Sequence, residues 1–182
     1  MPSDFVNAED FPLVEGDTPV AKIDDEGNIV IALEPKGAWI WTVGEGGLNF
    51  IKNLIKEPSA HALYHYSMHR APRQGEYLVF YANRNFIGRI YVAVGARKLT
   101  QTEKKEDPYL KPFNYEMVLD GNDFEVFTPP IPVELMKNDV SVFKGVEPSK
   151  LHNKCWFNPR ITLEDYNKIL TKKEELKKSK EK

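Results

Sequence analysis

The sequence predicts an α+β fold: a β-barrel flanked by short helices and preceded by an N-terminal β-hairpin. The first observation behind this is the stretch 75–95, two aromatic and β-branched runs around a polar turn at Asn83, Arg84 and Asn85, which reads as a β-hairpin. Both runs are apolar at nearly every position, the pattern of strands covered on both faces, so the pair belongs in the middle of a closed or covered sheet. A barrel meets that requirement. The second observation is that further strand-like runs, such as 38–43 and 62–67, alternate in character. The third is that helical spacing is confined to short segments, at 48–56 and after Thr162.

Taken in order, residues 1–18 are acidic and turn-rich, and 19–24 and 29–33 form a first hairpin around Gly27-Asn28. In the strand 38–43, Trp39 and Trp41 share one face, with Ile40 and Thr42 on the other. Gly44 to Gly47 break it, and Leu48, Ile51, Leu54 and Ile55 mark an amphipathic helix ended by Pro58. In the strand 62–67, Tyr64 and Tyr66 share a face opposite Leu63 and His65. The apolar-poor segment 98–111 reads as an exposed loop. A strand at 113–119 is closed by Asp120-Gly121-Asn122, and 129–137 starts extended and ends in a helical turn. A last strand is expected at 156–161. Thr162 and Asp165 resemble a capping box opening a final helix that turns Tyr166, Ile169, Leu170 and Leu176 inward. Beyond Leu176 the residues are too polar to pack. The expected organisation is an acidic segment with an accessory hairpin (1–36), a barrel domain (37–171) and a charged linker or tail (172–182).

The chain, 182 residues and 41% hydrophobic, is long enough for one domain with a real core. No apolar run approaches the roughly 20 residues that span a bilayer, and the first ten residues lack the regions of a signal peptide, so a cytoplasmic protein with no membrane partner is expected. The lone Cys155 excludes an internal disulfide and Cys-based zinc, and it reads as a small buried residue. The net charge of −2 hides segregation. Residues 1–35 carry one lysine against nine acids, whereas 70–98 carry Arg70, Arg73, Arg84, Arg89, Arg97 and Lys98 against Glu76 alone. These six basic residues are the candidate phosphate-binding set, and a solvated surface explains the same count.

His61, His65 and His69 recur every four residues, but a strand holds such positions roughly 13 Å apart, too far to share an ion. No phosphate loop, nucleophile elbow or dinucleotide fingerprint occurs, so no metal, cofactor or catalytic residue is expected. Trp39, Trp41, Tyr64, Tyr66 and Trp156 fall in strands expected to be neighbours. Core packing explains any one of them. Two aromatic pairs beside a basic hairpin also suit a flat heterocycle with a phosphodiester tail.

The order of elements resembles the EVE and YTH group of PUA-like β-barrels, which bind modified nucleobases. Trp39-Ile40-Trp41-Thr42-Val43-Gly44 is similar to the group's first barrel strand, and Gly75-Glu76-Tyr77-Leu78-Val79-Phe80-Tyr81 with Phe86-Ile87-Gly88-Arg89 is similar to its central strands. Residues 132–137 and 158–170 resemble its closing segment. The resemblance covers about 37–171. It implies a base pocket of Trp39, Trp41, Thr42, Val43, Tyr64, Tyr66 and Ser67, with Tyr66 at one cage wall, Thr42-Val43 at the base-contacting step, and Tyr109 and Phe113 nearest the second wall.

An acidic ribbon before such a domain and a lysine-rich segment after it also resemble the DNA-reading module of McrB-type modification-dependent restriction enzymes, which precedes a GTP-driven AAA+ motor. The expected function is therefore a reader, not an enzyme, that flips N6-methyladenine or 5-methylcytosine in DNA into an aromatic pocket. A stand-alone RNA-modification reader of the same fold, and a protein-interaction barrel whose aromatics are all core, are the alternatives.

Overall fold

In the structure, a computed structural model, residues 6–7, 18–34 and 37–182 are described. Most of the acidic segment 1–18 lies outside them. Strands β1 (Val6–Asn7), β2 (Thr18–Ile23) and β3 (Ile29–Glu34) form an antiparallel sheet in the order β1-β3-β2. The expected first hairpin is β2–β3, pairing Thr18 with Glu34 and Ile23 with Ile29. Its turn closes because the Asp24 carboxylate accepts the N–H groups of Glu26 and Asn28, at 3.0 and 2.8 Å.

The main sheet is mixed and six-stranded: β4 (Ala38–Thr42), β5 (Ala62–Tyr66), β6 (Tyr77–Ala82), β7 (Asn85–Lys98), β8 (Tyr115–Pro132) and β9 (Arg160–Ile161), in the order β5-β8-β7-β6-β4-β9. β4 and β6 are parallel and every other pairing is antiparallel. The central hairpin is β6–β7. Its two-residue turn places Asn83 and Arg84 at φ +50° and +65°, the backbone that a tight hairpin of the primed type requires.

The sheet does not close into the expected barrel: β5 and β9 stand at its two edges. Coverage of the hairpin on both faces is nevertheless correct, and it comes from layers. On one face Leu78, Phe80, Ile90 and Val92 pack with Trp39 and Trp41 beneath helix α1 (Glu45–Lys56), through Ile51 and Leu54. On the other, Ala38, Ile40, Val79, Tyr81 and Phe86 pack with Phe127, Ile131 and Phe143. Helices α3 (Leu151–Trp156) and α4 (Leu163–Lys180) complete that second core with Leu151, Cys155, Tyr166 and Ile169. An apolar run records burial on two sides and is indifferent to whether helices or a closing strand provide it.

Other elements differ from their sequence reading for identifiable reasons. Segment 98–111 is not all loop: α2 (Gln101–Glu106) starts from a complete capping box between Thr100 and Glu103, but it buries no residue and so has no apolar period. Asp120-Gly121-Asn122 does not end a strand, because β8 runs through it. Gly121 is a close-approach position where a Cβ would lie 2.6 Å from the Ser59 carbonyl oxygen. Of the strand expected at 156–161 only Arg160–Ile161 pairs, since Trp156 ends α3. The cap at Thr162 is as expected, its hydroxyl accepting the Asp165 N–H at 3.0 Å. The helix continues to Lys180, through the segment read as a linker, with Leu176 against the second core and Lys173 bonded to Glu125. Among the described residues no helix is long and apolar enough to cross a membrane.

Candidate functional site

Alternation along β4 and β5 brings together the aromatic residues singled out above. Tyr66 meets Trp41 edge-on, with ring centroids 4.9 Å apart, and Tyr64 lies 6.3 Å from Trp41 and 6.2 Å from Tyr66. The Trp41 indole N–H donates to the Tyr64 hydroxyl at 3.3 Å. Two residues not anticipated complete the cluster. Phe50 of α1 packs edge-on against Tyr64 at 4.9 Å, and Tyr115 of β8 stacks on Tyr66 at 5.3 Å. Tyr115 faces Tyr66 because the two are paired across β5 and β8, and Phe50 arrives because α1 lies over this face. Tyr109 and Phe113 do not supply a wall here; they surround His65, on the opposite face of β5.

The cluster is dry on one side and fastened to a loop on the other. Burial pushes the Tyr64 phenol up, and burial with the neighbouring Tyr115 and Tyr64 phenols does so for Tyr66, so both stay protonated hydrogen-bonding groups at neutral pH. The Tyr66 hydroxyl donates to the Arg70 carbonyl at 2.6 Å, while Tyr115 and His69 Nδ1 are hydrogen-bonded. The chain from Ser67 to Arg70 is thus tied to the cluster by two phenols, and the Asn114 side chain adds a 3.1 Å bond to the Ser67 carbonyl. Ser67 itself is exposed. The 6.2 Å between Tyr64 and Tyr66 falls short of the roughly 7 Å, two base-stacking distances, that a sandwiched base requires.

The remaining expected pocket residues serve other contacts. The Trp39 indole donates to Glu76, itself buried with Arg73 and Arg160, so Trp39 lies in a buried polar network. Thr42 donates its N–H to the Asn158 side-chain oxygen at 2.8 Å and its hydroxyl to the Cys155 carbonyl at 2.7 Å, and the Val43 N–H goes to the Tyr81 carbonyl. The donors of the Thr42-Val43 step are therefore occupied. Cys155 is buried as expected, which pushes its thiol up to about 12.

Of the six basic residues, four face carboxylates. Arg73, 1% exposed, pairs with Glu76 at 3.4 Å and is too buried to reach a phosphate. Arg84 pairs with Glu134, Arg89 with Asp123 and Glu125, and Arg97 with Glu103 and Glu116. Arg70 differs. Its guanidinium donates to the carbonyls of Phe157 and His69, at 3.2 and 3.0 Å, and among the described residues no carboxylate pairs with it beside the aromatic cluster. Lys98 is exposed at the end of β7. Sequence distance hid these pairings: Asp123 and Glu125 lie 34 and 36 residues from Arg89 and meet it only through the β7–β8 register.

Compared with known proteins, the chain matches no family model, and no curated protein matches it.

Proposed function

We propose that this chain is a DNA-binding reader with a PUA-like, EVE/YTH-like arrangement, taking one extruded methylated base, N6-methyladenine or 5-methylcytosine, against Trp41, Tyr64 and Tyr66. As the targeting module of a modification-dependent restriction system it would leave cleavage to a motor and nuclease elsewhere. The observation that carries this reading is the juxtaposition of an aromatic cluster having polar handles with the guanidinium of Arg70, which pairs with no carboxylate among the described residues, joined by the Tyr66–Arg70 bond of 2.6 Å. Aromatic faces stack on a base, indole and phenol groups bond its edge, and the guanidinium holds the adjoining phosphate. Admission of the base displaces Tyr64, the least buried of the three, from its long bond to Trp41.

The test is binding of one duplex in unmodified, N6-methyladenine and 5-methylcytosine forms, across salt concentrations, with RNA of the same sequence as competitor. The reading predicts tighter binding of one methylated duplex than of the unmodified one, with affinity falling as salt rises. Equal affinity for all three contradicts it, and preferential displacement by modified RNA transfers the pocket to RNA.

A further inference from the structure

Three tryptophans occur in the chain, and the two on β4 are buried, whereas Trp156 is 55% exposed and its neighbour Phe157 is 60% exposed. Two adjacent large rings held in water contribute little to either core, yet the backbone that carries them is fixed. Before them the Cys155 carbonyl accepts the Thr42 hydroxyl, and after them Asn158, at φ +48°, accepts the Thr42 N–H through its side chain. The Pro159 carbonyl then accepts the Ile40 N–H at 3.0 Å. Trp156 is oriented by His152, 6.0 Å away, which is bonded to the Tyr81 hydroxyl at 2.9 Å.

This aromatic step adjoins the proposed base pocket. Arg70 donates to the Phe157 carbonyl, and the carbonyl of the same Arg70 accepts the Tyr66 hydroxyl, so one residue separates Phe157 from the cage wall. Two cations accompany it: Arg70 is bonded to the Phe157 carbonyl and exposed Lys154 precedes the step in α3, while the stretch 148–163 itself contains no acid. Exposed rings flanked by cations match unstacked bases with an anionic backbone, because every base has a π-face and the backbone supplies the counter-charge.

We propose that Trp156 and Phe157 form a stacking platform for DNA bases outside the pocket, taking the base left unstacked when its neighbour is extruded toward Tyr66. The role rests on the pocket reading only for that geometry; stacking on single-stranded DNA follows from the platform alone.

With Trp39 and Trp41 buried, acrylamide quenching of tryptophan emission reports Trp156. The protein is titrated with an unmodified single strand and with unmodified, N6-methyladenine and 5-methylcytosine duplexes, binding being followed separately by anisotropy of labelled DNA. Bound DNA should dim Trp156 and protect it from acrylamide. The double variant Trp156→Ala, Phe157→Ala, folded by circular dichroism, should bind the single strand about tenfold more weakly, and Trp156→Phe should bind it nearly as the parent does. DNA bound with methyl preference while Trp156 stays as quenchable as in the free protein overturns the platform and leaves the pocket standing. Trp156 protected without methyl preference keeps the platform and removes the pocket. No binding to any of these DNAs overturns both, and protection achieved by RNA at lower concentration than by DNA overturns the assignment to DNA.

Discussion

The two faces of the β6–β7 hairpin are both aromatic and both buried, yet they are built differently. On the face beneath α3 and α4 three of the five buried large rings, Phe86, Phe127 and Phe143, carry no polar group, with Tyr81 and Tyr166 as the two that bear a hydroxyl. On the face beneath α1 four of the five buried large rings, Trp39, Trp41, Tyr66 and Tyr115, carry an N–H or O–H, Phe80 being the exception, and Tyr64 packs against them with Phe50 and Phe124. Those groups bond a buried carboxylate at one end of the face and a loop at the other. An aromatic count does not separate a core from a binding surface; polar handles on the rings, and where they lead, do.

The largest expected effect lies at the carboxylate end. Glu76 answers two arginines and the Trp39 indole with almost no solvent contact, so Glu76→Gln, which leaves buried guanidinium charge without its carboxylate, should cost about 3 to 5 kcal/mol in denaturant unfolding. A loss under 1 kcal/mol would mean that water reaches this network. Phe143→Ala, on the face beneath α3 and α4, should cost a similar 3 to 5 kcal/mol while the folded fraction keeps its DNA selectivity, as anisotropy titration below the melting range would show. Altered selectivity would break the division between the two faces.

A finer contrast lies within α1, which seals the polar-aromatic face. A Cβ on Gly46 meets nothing within 4 Å, whereas one on Gly47 would lie 2.6 Å from the Val43 Cβ. Gly46→Ala should therefore stabilise by up to about 1 kcal/mol through helix propensity, while Gly47→Ala should destabilise by about 1 to 3 kcal/mol in thermal melts. The same sign for both would show that α1 shifts freely over the cluster. Smaller still, Tyr66→Phe keeps the ring and removes the bond to the Arg70 carbonyl, for about 0.5 to 1.5 kcal/mol of stability in the same melts.

Much of this frame was legible in the sequence because it rests on local patterns. The period of two placed Trp39 with Trp41 and Tyr64 with Tyr66, and the polar run Asn83, Arg84 and Asn85 marked the hairpin turn, of which Asn85 in fact opens β7. Coverage on both faces of that hairpin was readable too. Closure was not, because helices and strands bury an apolar run equally well. Helix α3 was hidden because just two of its residues, Leu151 and Cys155, turn inward, and exposed Trp156 imitated a strand. At the site, Trp41, Tyr64 and Tyr66 meet, but Phe50 and Tyr115 entered through contacts between elements that no local pattern encodes. The ion pairs along the basic hairpin were hidden for the same reason: the carboxylates opposite Arg84, Arg89 and Arg97 come from other parts of the chain.

The most direct test removes the ring that links cluster and loop. Tyr66→Ala, confirmed folded by circular dichroism, is titrated against methylated and unmodified versions of one duplex at the same salt concentration. With Arg70 in place, the account predicts a loss of about 1 to 3 kcal/mol on the methylated duplex and little change on the unmodified one. An equal loss on both duplexes, or none on either, would contradict it and return the Trp41–Tyr64–Tyr66 cluster to the core.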